Sequence, residues 1–198
     1  MDSEHSFGNK LARVAWGLVW LIFFRCSLRC TFGWRRMLLR LFGAQIGDGV
    51  KVYPSTKVWA PWNLVMDDGS CMGDYVDCYC VGKIRICSNA VVSQYSYLCG
   101  ATHDYEDEMK LVTGDIEIGA DAWVCADVFI GPGVNVGERA VAGARSVVIR
   151  DVESGTVVAG NPAKEISKRE KFRQDKQDGD ETANVMHPEL DTEHANRR

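Results

Sequence analysis

The sequence predicts an all-β solenoid, a parallel β-helix of about five to six triangular coils. Two observations predict this fold: a hexapeptide period and the places where the period is interrupted. From Ile118 to Val148 an aliphatic residue or alanine recurs at every sixth position, and a small or β-branched residue follows each one four positions later. This spacing is too sparse for the apolar stripe of a helix. It is typical of short strands joined by corners, in which three hexads close a coil and stacked coils bury one continuous core.

The same phase continues upstream, and its interruptions all fall at one point of the coil. The predicted coils begin at Ile46, Met66, Ile86, Ile118, Val136 and Ser154. Two extra residues precede Met66, two more precede Ile86, and fourteen, 104–117, precede Ile118. Because these insertions share a phase, we expect them to stack along one corner of the prism, with 104–117 as an extruded loop. Functional loops often cluster in this way on a rigid scaffold.

His103 is the last residue before the largest insertion and the only histidine inside the predicted solenoid, since His5, His187 and His194 lie towards the chain ends. A buried, hydrogen-bonded core histidine is the alternative interpretation. The position at an exposed corner favours a catalytic base, because a neutral imidazole accepts a proton readily near neutral pH.

Residues 1–45 are predicted to form a helical cap, 46–164 the solenoid domain, and 165–198 a C-terminal helix and disordered tail. The longest apolar run, Val14–Phe24, has eleven residues and no cleavage site after it. As a helix it is too short to cross a hydrocarbon layer of about 30 Å. It is therefore predicted to be a retained helix of a cytoplasmic protein.

Charge and cysteine content exclude several other classes of protein. The net charge of −4 gives no indication of a nucleic-acid partner. The eight cysteines form no CxxC pairs, so neither a disulfide scaffold nor a metal site is expected. Between His5 and Gly47 there are seven basic residues and no acidic residue. This segment is predicted to cap the first coil, and peripheral contact with an anionic membrane face is a compatible second role.

Five segments carry a resemblance to a known family: Gly33–Ala44, Asp77–Tyr79, Leu98–Tyr105, Ala122–Val124 and Gly160–Lys164. In these segments the chain resembles the hexapeptide-repeat acetyltransferases, and most closely the colanic-acid and exopolysaccharide O-acetyltransferases, over roughly residues 10–168. The resemblance implies a left-handed coil, acetyl-CoA as acyl donor, a sugar-containing acceptor and no metal. It also implies a homotrimer with active sites between subunits.

The resemblance also implies roles for individual residues. His103 would be the general base, with Asp104 or a backbone carbonyl holding its second ring nitrogen. For acetyl-CoA the resemblance implies contacts to the pantetheine arm from Trp123 and Ala126, with Ala144 following as another backbone contact. It implies contacts to the phosphates from Arg150, Lys164 and Lys168, and a turn near the nucleotide end formed by Gly160, Asn161 and Pro162. The implied acceptor contacts are Asp77, Tyr79, Cys80 and Tyr105. Corner geometry accounts equally well for the glycines and Ala144, and a solvated charge is the alternative for Arg150 and Lys164. Cys80 stands where relatives typically carry asparagine.

Three other functions are compatible with part of the pattern. An N-acetyltransferase acting on an amino sugar would use the same base. A metal enzyme on a β-helix would need about three protein ligands, and one histidine in the solenoid does not supply them. A non-enzymatic β-helix is expected to have lost the corner histidine and the cofactor turn, and both are present here.

Overall fold

The computed structural model describes residues 7–169, in which three sheets, parallel except for the last strand of one of them, form the faces of a triangular solenoid. Face A contains β1 (Gln45–Ile46), β4 (Leu64–Met66), β7 (Ile84–Ile86), β12 (Ile116–Ile118) and β15 (Asn135–Val136). Face B contains β2 (Lys51–Val52), β5 (Cys71–Met72), β8 (Val91–Val92), β13 (Trp123–Val124), β16 (Val141–Ala142), β18 (Thr156–Gly160) and β19 (Ala163–Lys168). Face C contains β3 (Lys57–Val58), β6 (Asp77–Tyr79), β9 (Tyr97–Cys99), β14 (Phe129–Ile130) and β17 (Val147–Val148). The predicted solenoid is confirmed.

The hexad phase predicts the core correctly, with one error at the end. The hexad leaders are buried, and the coil starts among them pair across face A, as Ile86 does with Met66 on one side and Ile118 on the other. The last predicted coil start, Ser154, is wrong, because Val136 pairs with Val152. The preceding corner is shorter, and Asp151 closes it by accepting a hydrogen bond from the Asn135 amide at 2.8 Å.

The insertions lie along one corner, between faces C and A, as predicted. The first contains a 3₁₀ turn, Pro61–Asn63. The largest was predicted as an extruded loop over 104–117, but the structure forms an antiparallel hairpin of β10 (Ala101–Asp104) and β11 (Lys110–Thr113). The hairpin therefore begins before the predicted loop, and Ile116 already belongs to β12.

Two helical segments precede the first coil. The first comprises α1 (Phe7–Val19) continued by a π-helical stretch (Trp20–Phe24), and the second is α2 (Phe32–Leu41). The indole N–H groups of Trp16 and Trp20 donate to the carbonyls of Val58 and Thr56 at 2.7 and 2.8 Å. The first helix is therefore held along face C, at the strand β3.

The helical segment is longer than the predicted run of eleven residues. Within residues 7–169, Phe7–Phe24 is the one helix whose 18-residue length and mean hydropathy of 1.2 would allow it to cross a membrane. Helices of soluble proteins and signal sequences meet the same criteria, so this is weak evidence for a span.

The chain closes the solenoid with an antiparallel pair, β18 and β19. Residues 165–168, assigned from the sequence to the C-terminal helix and tail, lie in β19 instead. The helix and tail predicted after Lys168 fall outside the described residues.

Gly119 lies where two coils approach too closely for a side chain. A Cβ atom there would lie 2.6 Å from the Glu138 amide nitrogen and 2.9 Å from the Val136 carbonyl oxygen. Because both are backbone atoms, we expect Gly119→Ala to lower the free energy of unfolding by about 1–3 kcal/mol. At Gly33 the nearest atom would be 3.9 Å away, so Gly33→Ala should be neutral or stabilising. Denaturant unfolding of both variants tests this, and equal effects would contradict it.

Candidate active site

His103 lies on β10 of the exposed hairpin, and a hydrogen bond fixes its ring. Its Nδ1 lies 2.6 Å from the carbonyl oxygen of Met109. A carbonyl oxygen can only accept, so Nδ1 carries the proton and donates it. In the neutral ring Nε2 then bears the free lone pair. Glu108 and Met109 have φ of 47° and 56°, and this tight turn carries Met109 back towards His103. The arrangement gives a proton acceptor of defined tautomer.

Asp104 does not orient the imidazole in this structure. Its Oδ1 accepts a hydrogen bond from the Glu106 amide at 2.9 Å and so stabilises the hairpin tip. The sequence left Asp104 and a backbone carbonyl as alternative partners of the ring, and the contact observed is with the carbonyl of Met109.

A cleft of about 670 Å³ lies between α1 and the outer side of face C. Asp77 and Tyr79, predicted as acceptor contacts, line it. Burial raises the pKa of the Asp77 carboxyl, and Lys57, whose Nζ lies 3.9 Å from Oδ2, acts in the opposite direction. The cleft is concave and mostly apolar with a few polar groups, as small-molecule sites usually are.

The wall of this cleft on face C is aromatic. Ring centroids are 5.1 Å apart between Trp59 and Tyr79, and 6.3 Å apart between Tyr79 and Tyr97. Arg13 of α1 lies over the Trp59 ring at 5.0 Å, and its Nε is buried with no hydrogen-bond partner among residues 7–169. The sequence analysis missed Trp59, Tyr97 and Arg13. Trp59 and Tyr79 occupy equivalent positions in successive coils, each one position after the buried leader of the third hexad. This shared phase could have revealed Trp59.

A smaller cleft of about 130 Å³ connects the aromatic wall to the hairpin. It shares Arg13, Trp59 and Tyr79 with the larger cleft and is also lined by Leu111 of β11. Leu111 is directly opposite His103 in the hairpin register. Residues directly opposite in an antiparallel pair project from the same face of the ribbon. The His103 side chain therefore belongs to the hairpin face that borders the clefts.

Two predicted acceptor contacts have different positions from those expected. Cys80 is fully buried, and its Sγ lies 3.3 Å from the Ala60 amide nitrogen and 3.2 Å from the Ala60 carbonyl oxygen. It therefore holds the corner together, and the prediction that it faces an acceptor is wrong for this structure. Tyr105 is 83% exposed at the hairpin tip and lines neither cleft.

The residues predicted for the pantetheine arm lie on face B and at the corner between faces B and C. Trp123 is half-exposed on β13, and its indole N–H donates to Ser93 Oγ at 2.9 Å. Ala126 and Ala144 occupy the same corner on successive coils. Within the described chain, neither amide has a hydrogen-bond partner. Both N–H groups are thus available to a ligand.

The residues predicted for the phosphates and nucleotide lie at the C-terminal end of the solenoid. Arg150, Pro162 and Lys164 line a cleft of about 420 Å³. Gly160, Asn161 and Pro162 form the turn between β18 and β19, with Gly160 at φ of 100°. Lys168 differs from the others, because its Nζ lies 3.2 and 3.4 Å from carboxylate oxygens of Glu153 and Glu165. Its charge is already paired.

One chain does not bring these groups to a single place. His103 extends from the corner between faces C and A, whereas Ala126 and Ala144 lie at the corner between faces B and C. Within residues 7–169 no group of three histidine, cysteine or acidic side chains is arranged to hold a metal ion.

No protein-family model matches the chain. The chain is 40% identical over 163 residues to the WcaF protein of Escherichia coli K12, named as a colanic acid biosynthesis acetyltransferase, covering 82% of this chain and 90% of that protein. A maltose O-acetyltransferase of Clostridium difficile 630 superposes with a TM-score of 0.77 at 23% identity, covering 85% and 91% of the two chains. An acetyl-CoA complex of the hexapeptide-repeat acetyltransferase VCA0836 of Vibrio cholerae superposes with a TM-score of 0.78 at 22% identity, covering 86% and 94%. The chain therefore belongs to the WcaF family of hexapeptide-repeat acetyltransferases.

Proposed function

We propose that this protein is an acetyl-CoA-dependent O-acetyltransferase that modifies a sugar hydroxyl, with His103 as general base. The observation that carries the proposal is the Nδ1 contact with the Met109 carbonyl, which leaves Nε2 free to accept a proton. Acetyl-CoA as donor is supported by the family and by the VCA0836 complex.

The proposed reaction is a direct transfer. His103 Nε2 takes the proton from the acceptor hydroxyl as its oxygen attacks the thioester carbonyl carbon. The C–S bond of the tetrahedral intermediate then breaks, and the imidazolium returns the proton to the leaving sulfur. The products are an acetyl ester and free CoA thiol. Backbone N–H groups such as that of Ala126 are suited to contact the donor. They are held in place by the fold, so they need not rearrange during the reaction.

We place the acceptor in the two clefts beside α1. Their aromatic wall suits the apolar faces of sugar rings, and Asp77 and Arg13 offer polar contacts. A free sugar, a nucleotide sugar and a lipid-linked sugar all carry such rings, so the acceptor class is to be found by experiment.

A homotrimer would complete the site by placing the hairpin of one subunit beside face B of the next. The separation of His103 from Ala126 and Ala144 within one chain supports this arrangement. Exposed apolar side chains on the hairpin and on face B support it too: Tyr105, Met109, Val112, Val91 and Trp123. Light scattering of the purified protein should give three times the chain mass, and a monomer with full activity would contradict the proposal.

We further propose a cytoplasmic location for the enzyme. All eight cysteines are free thiols in the structure, as expected in a reducing compartment.

The function is tested by incubating purified protein with acetyl-CoA and a panel of acceptors. Matched pairs of sugars, with a hydroxyl or an amine at one position, separate O- from N-acetylation. Thiol release measures the rate, and mass spectrometry of the product identifies the bond. Stable amide formation with no ester would overturn the O-acetyltransferase assignment.

Tyr79 is expected to contribute to acceptor binding through its ring. Tyr79→Leu removes an aromatic contact, so we expect the KM for the acceptor to rise about tenfold, which corresponds to about 1.4 kcal/mol, with little change in the KM for acetyl-CoA. Tyr95→Leu is the control, because Tyr95 is an exposed tyrosine outside both clefts. Equal effects of the two substitutions on the acceptor KM would refute the cleft assignment.

A further inference from the structure

The outward side of the first helix is apolar and uncovered. Its side chains recur at helical spacing and are between 55% and 82% exposed: Phe7, Leu11, Val14, Leu18, Leu21 and Ile22. The opposite side carries Trp16 and Phe24, which are buried against the solenoid. A helix that uses only one side for packing normally presents polar residues on the other. The exposed stripe therefore has no explanation in the fold of one chain.

The stripe continues through Leu28, in the connection between the helices, onto the second helix. Leu28, Trp34, Met37 and Leu41 are between 42% and 74% exposed. The indole N–H of Trp34 donates to the Phe23 carbonyl at 2.9 Å and joins the two helices at this point. We call these ten side chains, from Phe7 to Leu41, the N-terminal apolar surface. Contiguous apolar surfaces of this kind mark protein or membrane contacts.

The charges within the segment that carries this surface all have one sign. Residues 6–46 contain seven basic side chains and no acidic one. Arg35 is buried and Arg29 pairs with Asp74 at 2.6 Å. Arg40 is exposed and lies 3.8 Å from an Asp48 carboxylate oxygen. Lys10 and Arg25 are exposed, and within residues 7–169 neither pairs with an acidic side chain.

This charge favours a lipid surface over a second copy of the chain. A symmetric contact between two such surfaces would bring two basic segments together, and neither segment contains an acidic residue of its own. An anionic bilayer attracts the same segment, by about 1 kcal/mol for each basic residue near the surface. Apolar side chains with basic neighbours are also the composition of helices that lie in the membrane interface.

We propose that the N-terminal apolar surface docks on an anionic membrane, with the first helix lying in the plane of the interface. The hydrogen bonds of Trp16 and Trp20 to face C hold this helix against the solenoid, so it can contact lipid along its length while the enzyme stays in water. The cleft beside this helix, whose lining includes Val14 of the N-terminal apolar surface, then lies close to the membrane. The proposal goes beyond the acetyl transfer and does not depend on it.

The test is co-sedimentation of the full chain with vesicles of phosphatidylcholine alone or mixed with phosphatidylglycerol. We expect binding to the mixed vesicles, weakened at least tenfold by 1 M salt, because the Debye length falls to about 3 Å. Leu18→Glu and Leu11→Glu should each weaken binding at least tenfold. Ile166→Glu is the matched control, since Ile166 is 65% exposed on β19 at the other end of the solenoid, and it should bind like the wild type.

Circular dichroism and acetyl transfer to a soluble acceptor show that each variant is folded. Failure of vesicle binding with intact catalysis overturns the membrane proposal alone. Binding that is unchanged by both glutamate variants also overturns it. A loss of subunit association in Leu18→Glu, without vesicle binding by the wild type, would assign the surface to contact between copies.

Discussion

His103→Ala is expected to lower kcat for acetyl transfer by about 10²–10⁴-fold, the usual contribution of a positioned general base. The hairpin fixes the orientation of the His103 ring and leaves its Nε2 unprotonated and free to accept a proton. Alanine has no group that could replace this atom. The KM for acetyl-CoA should change little, because the ring acts on the acceptor proton. The measurement is thiol release with the acceptor identified in the panel.

Asp104→Asn is the matched comparison within the same hairpin. Asparagine keeps an oxygen that can accept from the Glu106 amide, so the tip should retain its shape and kcat should stay within about threefold of the wild type. A loss as large as that of His103→Ala would show that the carboxylate is required and that the Met109 carbonyl is not sufficient. Retention of full activity by His103→Ala would overturn the base assignment itself.

Arg35→Ala is expected to lower the free energy of unfolding by at least about 3 kcal/mol. The guanidinium is fully buried and donates to the carbonyls of Val52, Leu28 and Arg29 at 2.6, 2.7 and 2.7 Å. Alanine cannot donate to these carbonyls, so those of Val52 and Arg29 would lose this bond, whereas that of Leu28 would keep its bonds from Thr31. A cavity would also remain beneath α2. Thermal or denaturant unfolding measures the loss.

Arg36→Ala provides the control at the next position of the same helix. Arg36 makes a single hydrogen bond, from Nη1 to the Val50 carbonyl at 3.0 Å, and it is only half-buried. We expect its removal to cost about 1 kcal/mol or less. If the two substitutions destabilised the protein equally, the buried network of Arg35 would not be what joins the helices to the first coil.

The repeat predicted most of the solenoid because each hexad leader is an inward side chain with few alternatives. It failed at Ser154, where Val152 satisfies the pattern in two ways: as the fourth residue after Val148 and as the next core residue. The choice between them depends on Asp151, whose carboxylate shortens the corner. Such a contact between coils leaves no periodic signal in the sequence.

The candidate site was predictable only in part. The insertion phase led to His103, but the partner of its ring depends on the hairpin turn, which carries a carbonyl six positions along the chain back to Nδ1. Cys80 illustrates the opposite case, because its predicted role came from resemblance and its burial depends on the neighbouring coil. Arg13 joins the clefts through packing of α1 on face C, which a sequence pattern does not specify.

The hairpin holds the proposed base, His103, and the carbonyl that orients its ring within thirteen consecutive residues, Ala101 to Thr113. Substitutions in the core of the coils below should therefore leave the contact between His103 Nδ1 and the Met109 carbonyl in place. A single residue gained or lost between Asp104 and Met109 would, in contrast, break that contact at once. In the proposed mechanism the groups needed for proton transfer therefore lie in one short segment of the chain, whereas the residues that line the proposed acceptor clefts are spread over α1 and face C.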